Sequence, residues 1–296
     1  MAYVIASDGV MHTLGLPTGK DIQKPAPFVP ANARVSDPIA VNNILYATTM
    51  GYCGGVPDGV WAMDLANLDK PVVSWKSTDG SPIGPVAFGT DNTVFVMTAN
   101  AVTALDPKTL SVKGTLSAPG PLTAGPVVFK QADKDVVVVG AKDGRVLMFD
   151  ASALSGAPSV AAASGGAALV EGIALWHEVA GQKWLLTANG GVSARKIADA
   201  GGRPSLEPGW TFADHGVHPP PIVVNGVVFA LSGGSASAPA VVYALDGVTG
   251  KELWNSGKTI TSYVPGGRSF WSGHGQVYVG ALDGTVYAFG FPMERK

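Results

Sequence analysis

The stretch YVGALDGTVYAFG, Tyr278–Gly290, is answered position for position by YVIASDGVMHTLG, Tyr3–Gly15. Each is a short run rich in β-branched and aromatic residues, a turn containing Asp-Gly, and a second short run. Asp-Gly supplies the positive φ that tight hairpins need. The pattern returns as FVMTANAVTALD (Phe95–Asp106) and VVGAKDGRVLMFD (Val138–Asp150), and more loosely as LLTANGGVSARKIAD from Leu185. Insertions interrupt it in ILYATTMGYCGGVPDGVWAMD from Ile44 and VVFALSGGSASAPAVVYALD from Val227. Anchored at Tyr3, Tyr46, Phe95, Val138, Leu185, Phe229 and Tyr278, the spacings are 43, 49, 43, 47, 44 and 49.

A period in the forties built from short strands predicts a β-propeller. Each unit supplies two further strands. An outer one carries tryptophan (VSWKS at Trp75, PGWTF at Trp210, ELWNS at Trp254), and a Gly/Pro-marked inner one follows, as in IGPVAFGTDN and TAGPVVFKQADK. The expectation is a single all-β propeller domain over 1–296, of seven blades with about four antiparallel strands each, innermost A to outermost D. The first blade begins at strand B and the last ends after strand C with only FPMERK, Phe291–Lys296. Both are therefore expected to be incomplete, and the chain to be cut from a longer parent.

Composition narrows the function. The 296 residues are 46% apolar and 14% charged, which gives a sizeable core and excludes a disordered chain. Gly 39 and Pro 22, with far more Asp than Glu, favour strands and turns over helices. A net charge of -2 without any polybasic run argues against nucleic acid or an anionic membrane as partner. Cys53, the one cysteine, excludes an internal disulfide and a Cys-based metal centre. The apolar run Met1–Ala6 is too short for a signal peptide. The long apolar stretch Ala151–Trp176 is broken by Pro158, several Gly and Glu171, so it does not span a bilayer. A soluble monomer is expected.

YALDGVTGKELWNSG, Tyr243–Gly257, followed by VYVGALDGTVYAFG, resembles the repeat of the pyrroloquinoline-quinone (PQQ) propeller superfamily: an aspartate-ended strand, a Thr-Gly-Lys turn, then a strand with tryptophan. LGLPTGKDI (Leu14–Ile22) repeats the turn, and LDPKTLSVKG (Leu105–Gly114) is a degenerate copy. The superfamily holds quinoprotein alcohol dehydrogenases and a propeller lipoprotein of outer-membrane assembly. The resemblance implies tryptophans that dock one blade on the next, and a periplasmic or extracellular location. It also implies PQQ with Ca²⁺ as the cofactors to test.

In a propeller the D–A and B–C connections share the face on which ligands sit. The D–A set offers Arg34, Asp37, Glu171, Asp214, His215, His218 and Arg268; the B–C set offers Asp8, Tyr52, Cys53, Asp58, Asn100, Asp143, Asn189 and Asp283. Asp and Asn in the second set are mostly turn formers. Arg34, Glu171, His215, His218 and Arg268 are the candidate ligand-binding residues, expected to face a common funnel suited to a polar or anionic small ligand or a protein partner. The loop Asp214–His218 is expected to cross from an outer to an inner strand, with Pro219–Pro221 stiffening its exit. His215 and His218 lack a third imidazole nearby in sequence, so no metal site is assigned. No G-x-S-x-G elbow and no phosphate-cradling Gly-Lys-Ser/Thr motif occurs.

Two functional classes stay open on these residues. One is a non-catalytic binding or scaffold module with its ligand on the D–A/B–C face. The alternative is a PQQ- and Ca-dependent quinoprotein dehydrogenase of alcohols or sugars, or a fragment of one. Against the alternative, the vicinal cysteine pair of the alcohol dehydrogenases is absent, because Cys53 stands alone. The soluble sugar-dehydrogenase type lacks that pair too. Glu171, Asn32 and Asp37 would supply some oxygens for a hard cation, which needs about six, and Trp271 with Arg268 would hold a planar anion. No catalytic residue is assigned.

Overall fold

The computed structural model describes residues 1–36, 38–152, 159–161, 170–201, 203–265, 270–273 and 275–290. Among them there is no α-helix; helical turns are short, as at Cys53–Gly55. The first sheet is β1 (Ala2–Ile5), β2 (Val10–Leu14) and β3 (Ala26–Pro27). Two four-stranded sheets follow: β4 (Ile39–Val41), β5 (Ile44–Thr49), β6 (Gly59–Asp64), β7 (Val73–Lys76), then β8 (Ala87–Phe88), β9 (Val94–Met97), β10 (Ala101–Leu105), β11 (Val112–Ser117). The next is β12 (Leu122–Gln131), β13 (Lys134–Ala141), β14 (Val146–Asp150) and β15 (Ser159–Ala161).

An eight-stranded sheet comprises β16 (Gly172–His177), β17 (Lys183–Ala188), β18 (Gly190–Asp199), β19 (Pro204–Val217), β20 (Ile222–Val224), β21 (Val227–Ser232), β22 (Val241–Asp246) and β23 (Glu252–Asn255). A single pair, Val217 with Ser232, joins β19 to β21, so this sheet is two four-stranded meanders whose strands pair with each other at one point. The last sheet is β24 (Phe270–Gly273), β25 (Gln276–Gly280) and β26 (Val286–Gly290). The first and last sheets have three strands, as their sequences predict; Phe291–Lys296 lie outside the described residues.

Turn chemistry fixes each register. Asn42-Asn43 (φ 50 and 61) joins Val41 to Ile44, and Asn225-Gly226 (φ 50 and 78) joins Val224 to Val227. Both central residues have positive φ, the two-residue type I′ hairpin that matches strand twist. Asp8-Gly9 works differently. The Gly9 N–H donates to Ala6 O and the Ala6 N–H to Val10 O, while Asp8 Oδ1 accepts the Val10 N–H at 3.0 Å. The loop is thus three residues long, with glycine in the left-handed position. Asp143-Gly144 and Asp283-Gly284 repeat those bonds.

The chain divides into two compact units, one of 1–139 and 149–158, the other of 140–148 and 159–296. In the first unit, Met11 and Phe28 pack on Leu45, Ala47 and Met63 of the second sheet. From the other side of that sheet, Tyr46, Val60 and Ala62 meet Val94, Val96 and Leu105 of the third, with Trp75 packed against them. Successive side chains on β5 thus enter two different cores, the period-2 alternation of a strand covered on both faces. In the second unit, Trp184, Leu186 and Ala194 pack on Val228, Ala230 and Leu245, and Leu231 and Val242 on Val279.

The tryptophans lie where the repeat predicts. Trp210, on the outer strand β19, donates its Nε1–H to Gly247 O at 2.8 Å in the turn between β22 and β23. A Cβ on Gly250 of that turn would come within 2.4 Å of the Trp210 ring, so the Thr-Gly-Lys turn needs glycine to receive the indole. Tyr46 reaches the matching turn in the first unit, donating its hydroxyl to Pro107 O at 2.7 Å. Trp254, on β23, lies against Phe289 of the last sheet at 5.4 Å.

Candidate functional site

Apart from His218–Pro221, the described connections between outer and inner strands are hydrogen-bonded to the B–C connections or to the strand ends that lead into them. In the first unit the Asn32 N–H donates to Ser7 O, Met50 to Arg34 O, Ser77 to Asp58 O and Ala118 to Asn100 O. In the second, Val170 donates to Ala141 O, Glu171 to Ala188 O, Val264 to Gly233 O and Leu282 to Tyr263 O. Each unit therefore carries these loops as a bonded layer, in which the amides named are satisfied within the protein.

The most built part of the layer in the first unit is the long loop from Met50 to Asp58. Asp58 is 5% exposed. Its Oδ1 accepts the Tyr52 N–H at 2.9 Å and its Oδ2 accepts the Ser81 hydroxyl. Ser81 Oγ in turn accepts the Gly51 N–H at 3.2 Å. These bonds hold Tyr52 in the left-handed region (φ 52), and the residue is 67% exposed. Gly54 lies so close to Asn32 that a Cβ would come within 2.8 Å of the asparagine Cβ. Arg34, exposed, sits beside this loop through its carbonyl bond to Met50. The interrupted repeat from Ile44 was the signal for this loop; Ser81, in a plain Asp-Gly-Ser turn, had none.

In the second unit the structure brings Glu171 and His218 together: Glu171 Oε2 and His218 Nδ1 are in hydrogen-bond and ion-pair contact. The side chains are 35% and 57% exposed respectively. Glu171 is fixed by its N–H bond to Ala188 O at the end of β17. His218 is followed by Pro219–Pro221, of which Pro219 and Pro221 are buried. The backbone of Pro220 lies where a Cβ on Gly172 would be, 2.5 Å away, so the proline run packs directly on β16.

His215 belongs elsewhere. The expectation of a loop over Asp214–His218 is corrected, because β19 runs on to Val217 and only His218 lies in the connection. The His215 ring stacks on Phe212 (3.7 Å between centroids, 6° between planes) and meets Tyr243 at 5.0 Å, so it serves the packing between β19 and β22. Arg268, Asp37 and His274 lie outside the described residues.

The remaining carboxylates shape backbone. The Arg145 N–H, then its guanidinium, hold Asp143 below the usual carboxylate range, and the Thr285 N–H does so for Asp283. The Thr249 hydroxyl and N–H act alike on Asp246. Asn100 Nδ2 donates to Asp79 Oδ1 at 3.2 Å. Among the described residues no three His, Cys, Asp or Glu side chains gather where they could hold a metal ion. No helix among them is long and apolar enough to cross a membrane.

No family model matches the chain, and no curated protein matches it in sequence. Among solved structures it is similar to that of BamB from Moraxella catarrhalis, with a TM-score of 0.61 and 15% identity, over 97% of this chain and 81% of that one. Because 778 solved chains match, such likeness speaks for architecture and selects no one function. The chain is a β-propeller.

Proposed function

We propose that the chain is a non-catalytic binding or scaffold module of the PQQ-repeat type, with seven blades, placed in the periplasm or outside the cell. Its partner is a polar small molecule or a protein, held on the face of the D–A and B–C connections. The observation that carries this reading is the bonded loop layer of each unit: in the first, Tyr52 is displayed by a buried carboxylate, and in the second, Glu171 and His218 meet across successive D–A connections. Aromatic, cationic and carboxylate groups on a pre-formed layer favour binding, because little side-chain or loop ordering is left to oppose it. Arg34 adds a planar fork for carboxylates; Arg268 and His215 completed the set expected from sequence, and His215 now has a packing role.

The test uses citrate and succinate as probes of the layer, followed by amide NMR shifts. Shifts confined to the connections around Arg34, Tyr52, Glu171 and His218, and weakened by Arg34→Ala or His218→Ala, support the reading. Shifts centred on the opposite hairpins, Asn42-Asn43 and Asn225-Gly226, contradict it, as does the absence of any saturable shift.

A further inference from the structure

The last strand, β26, repeats the sequence of β22 but not its surroundings. VYAFG of Val286–Gly290 aligns with VYALD of Val242–Asp246. Val242 is 0% and Ala244 6% exposed, whereas Val286 is 60% exposed and Ala288 is exposed as well. Two things cover β22. On its outer side it pairs with β23, placing Trp254 opposite Ala244. Its Val242 face is packed against Val279 of the last sheet. Among the described residues β26 has neither, and its sheet ends at that strand.

An unpaired strand edge presents a row of free N–H and C=O groups, and proteins blunt such edges with charge, proline or shortness. The other outermost strands do so here. β3 contains Pro27, β7 Lys76, β11 Lys113, β19 Glu207 and Pro208, and β23 Glu252, while β15 has three residues. β26 has five residues, none of them charged and none a proline. It carries the sequence of a strand that is paired on both sides, without the features that keep an edge solitary. Trp254 adds to this: at the position where Trp210 is docked on a glycine turn and a carbonyl, it remains 43% exposed beside Phe289.

We propose that the outer edge of β26 is a strand-addition site that takes an extended segment of a partner protein, antiparallel to β26, with an aromatic residue opposite Ala288. Main-chain bonds along the edge supply affinity, and the side chains on alternate positions supply selectivity. The occupant's chemistry follows from the repeat: where β22 is complete, the added strand is ELWN with tryptophan across from alanine. This surface is separate from the loop layer, so it stands or falls independently of the binding reading above.

The probe is a fluorescein-labelled peptide KELWNSG, a copy of Lys251–Gly257, titrated with the full chain and followed by anisotropy, with amide hydrogen exchange to locate it. Saturable binding that slows exchange across Val286–Gly290 is expected. Replacing the peptide's tryptophan by serine, or changing the protein by V286K together with A288K, should weaken binding by about tenfold or more. Both protein positions are exposed, and the altered peptide tests the site even if that variant misfolds. The proposal is overturned if the peptide does not bind saturably, or if protection appears elsewhere. Equal binding to the lysine variant also overturns it. So does protection, without peptide, of the β26 amides that point away from β25, whether concentration-dependent, which assigns the edge to a second copy, or concentration-independent, which assigns it to the chain itself.

Discussion

The two Thr-Gly-Lys turns offer a controlled measure of what tryptophan docking contributes. Gly19 and Gly250 sit in the same tripeptide with φ of 63° and 71°, yet a Cβ on Gly19 would meet nothing within 4 Å, while one on Gly250 would lie 2.4 Å from the Trp210 ring. Gly→Ala at either position incurs the left-handed backbone penalty, about 1–2 kcal/mol. Only Gly250→Ala also drives a methyl into the indole, which cannot retreat without giving up its bond to Gly247 O. Overpacking adds about 1–3 kcal/mol and the lost hydrogen bond about 0.5–1.5 kcal/mol. Gly250→Ala should therefore cost about 1.5–4.5 kcal/mol more than Gly19→Ala. Urea unfolding followed by tryptophan fluorescence reads the difference directly. Equal losses for the two variants would refute the docking argument, since the backbone penalty is common to both.

Three further outcomes follow from single contacts. Tyr46→Phe should cost about 0.5–1.5 kcal/mol through its bond to Pro107. Burial, with a smaller contribution from Asp106, pushes the Tyr46 hydroxyl up to about 12 from 10.0. Its contribution is therefore intact below pH 10 and is lost as pH rises towards 12, a decline that thermal melts should show in the native chain and not in the phenylalanine variant. The carboxyls of Asp106 and Asp246 are held below their ordinary range, the first chiefly by the Thr109 N–H, the second by the Thr249 hydroxyl. What they contribute is present above that range and lost as pH falls through it, so the drop in melting temperature from pH 5 to pH 3 should shrink in D106N/D246N. Asp58→Ala should release the Tyr52 and Gly51 amides to faster hydrogen exchange at a cost of about 1–3 kcal/mol; unchanged exchange there would show that the carboxylate does not hold the loop.

Much of the architecture was legible because its causes are local. Asp-Gly turns, the forties spacing and the tryptophan on three of the outer strands are set by residues close in sequence, and Trp75, Trp210 and Trp254 fall on outer strands as read. The loop layer was legible in kind, since D–A and B–C connections were assigned to one face and are bonded together. The partnership of Glu171 with His218 was legible only as equivalent positions: they are 47 residues apart, and no local signal reports contact over one repeat. His215 was misplaced because β19 is 14 residues long and runs on to Val217, where a loop was expected from Asp214. It keeps pairing with β18 through register shifts at Gly190/Val192 and Ser193/Arg195, and a bulged register leaves no mark in hydrophobic alternation. Asp58 was grouped with turn formers, and only its burial reveals that it supports Tyr52.

The central claim is that this propeller binds without catalysing, and reconstitution with the quinone tests it most directly. The purified chain is mixed with PQQ and Ca²⁺, and reduction of an electron-accepting dye is followed with ethanol and with glucose. The loop layer described above predicts dye reduction no faster than in protein-free controls. Reduction that saturates in PQQ, requires Ca²⁺ and depends on the alcohol or sugar would contradict it and make the chain a quinoprotein dehydrogenase.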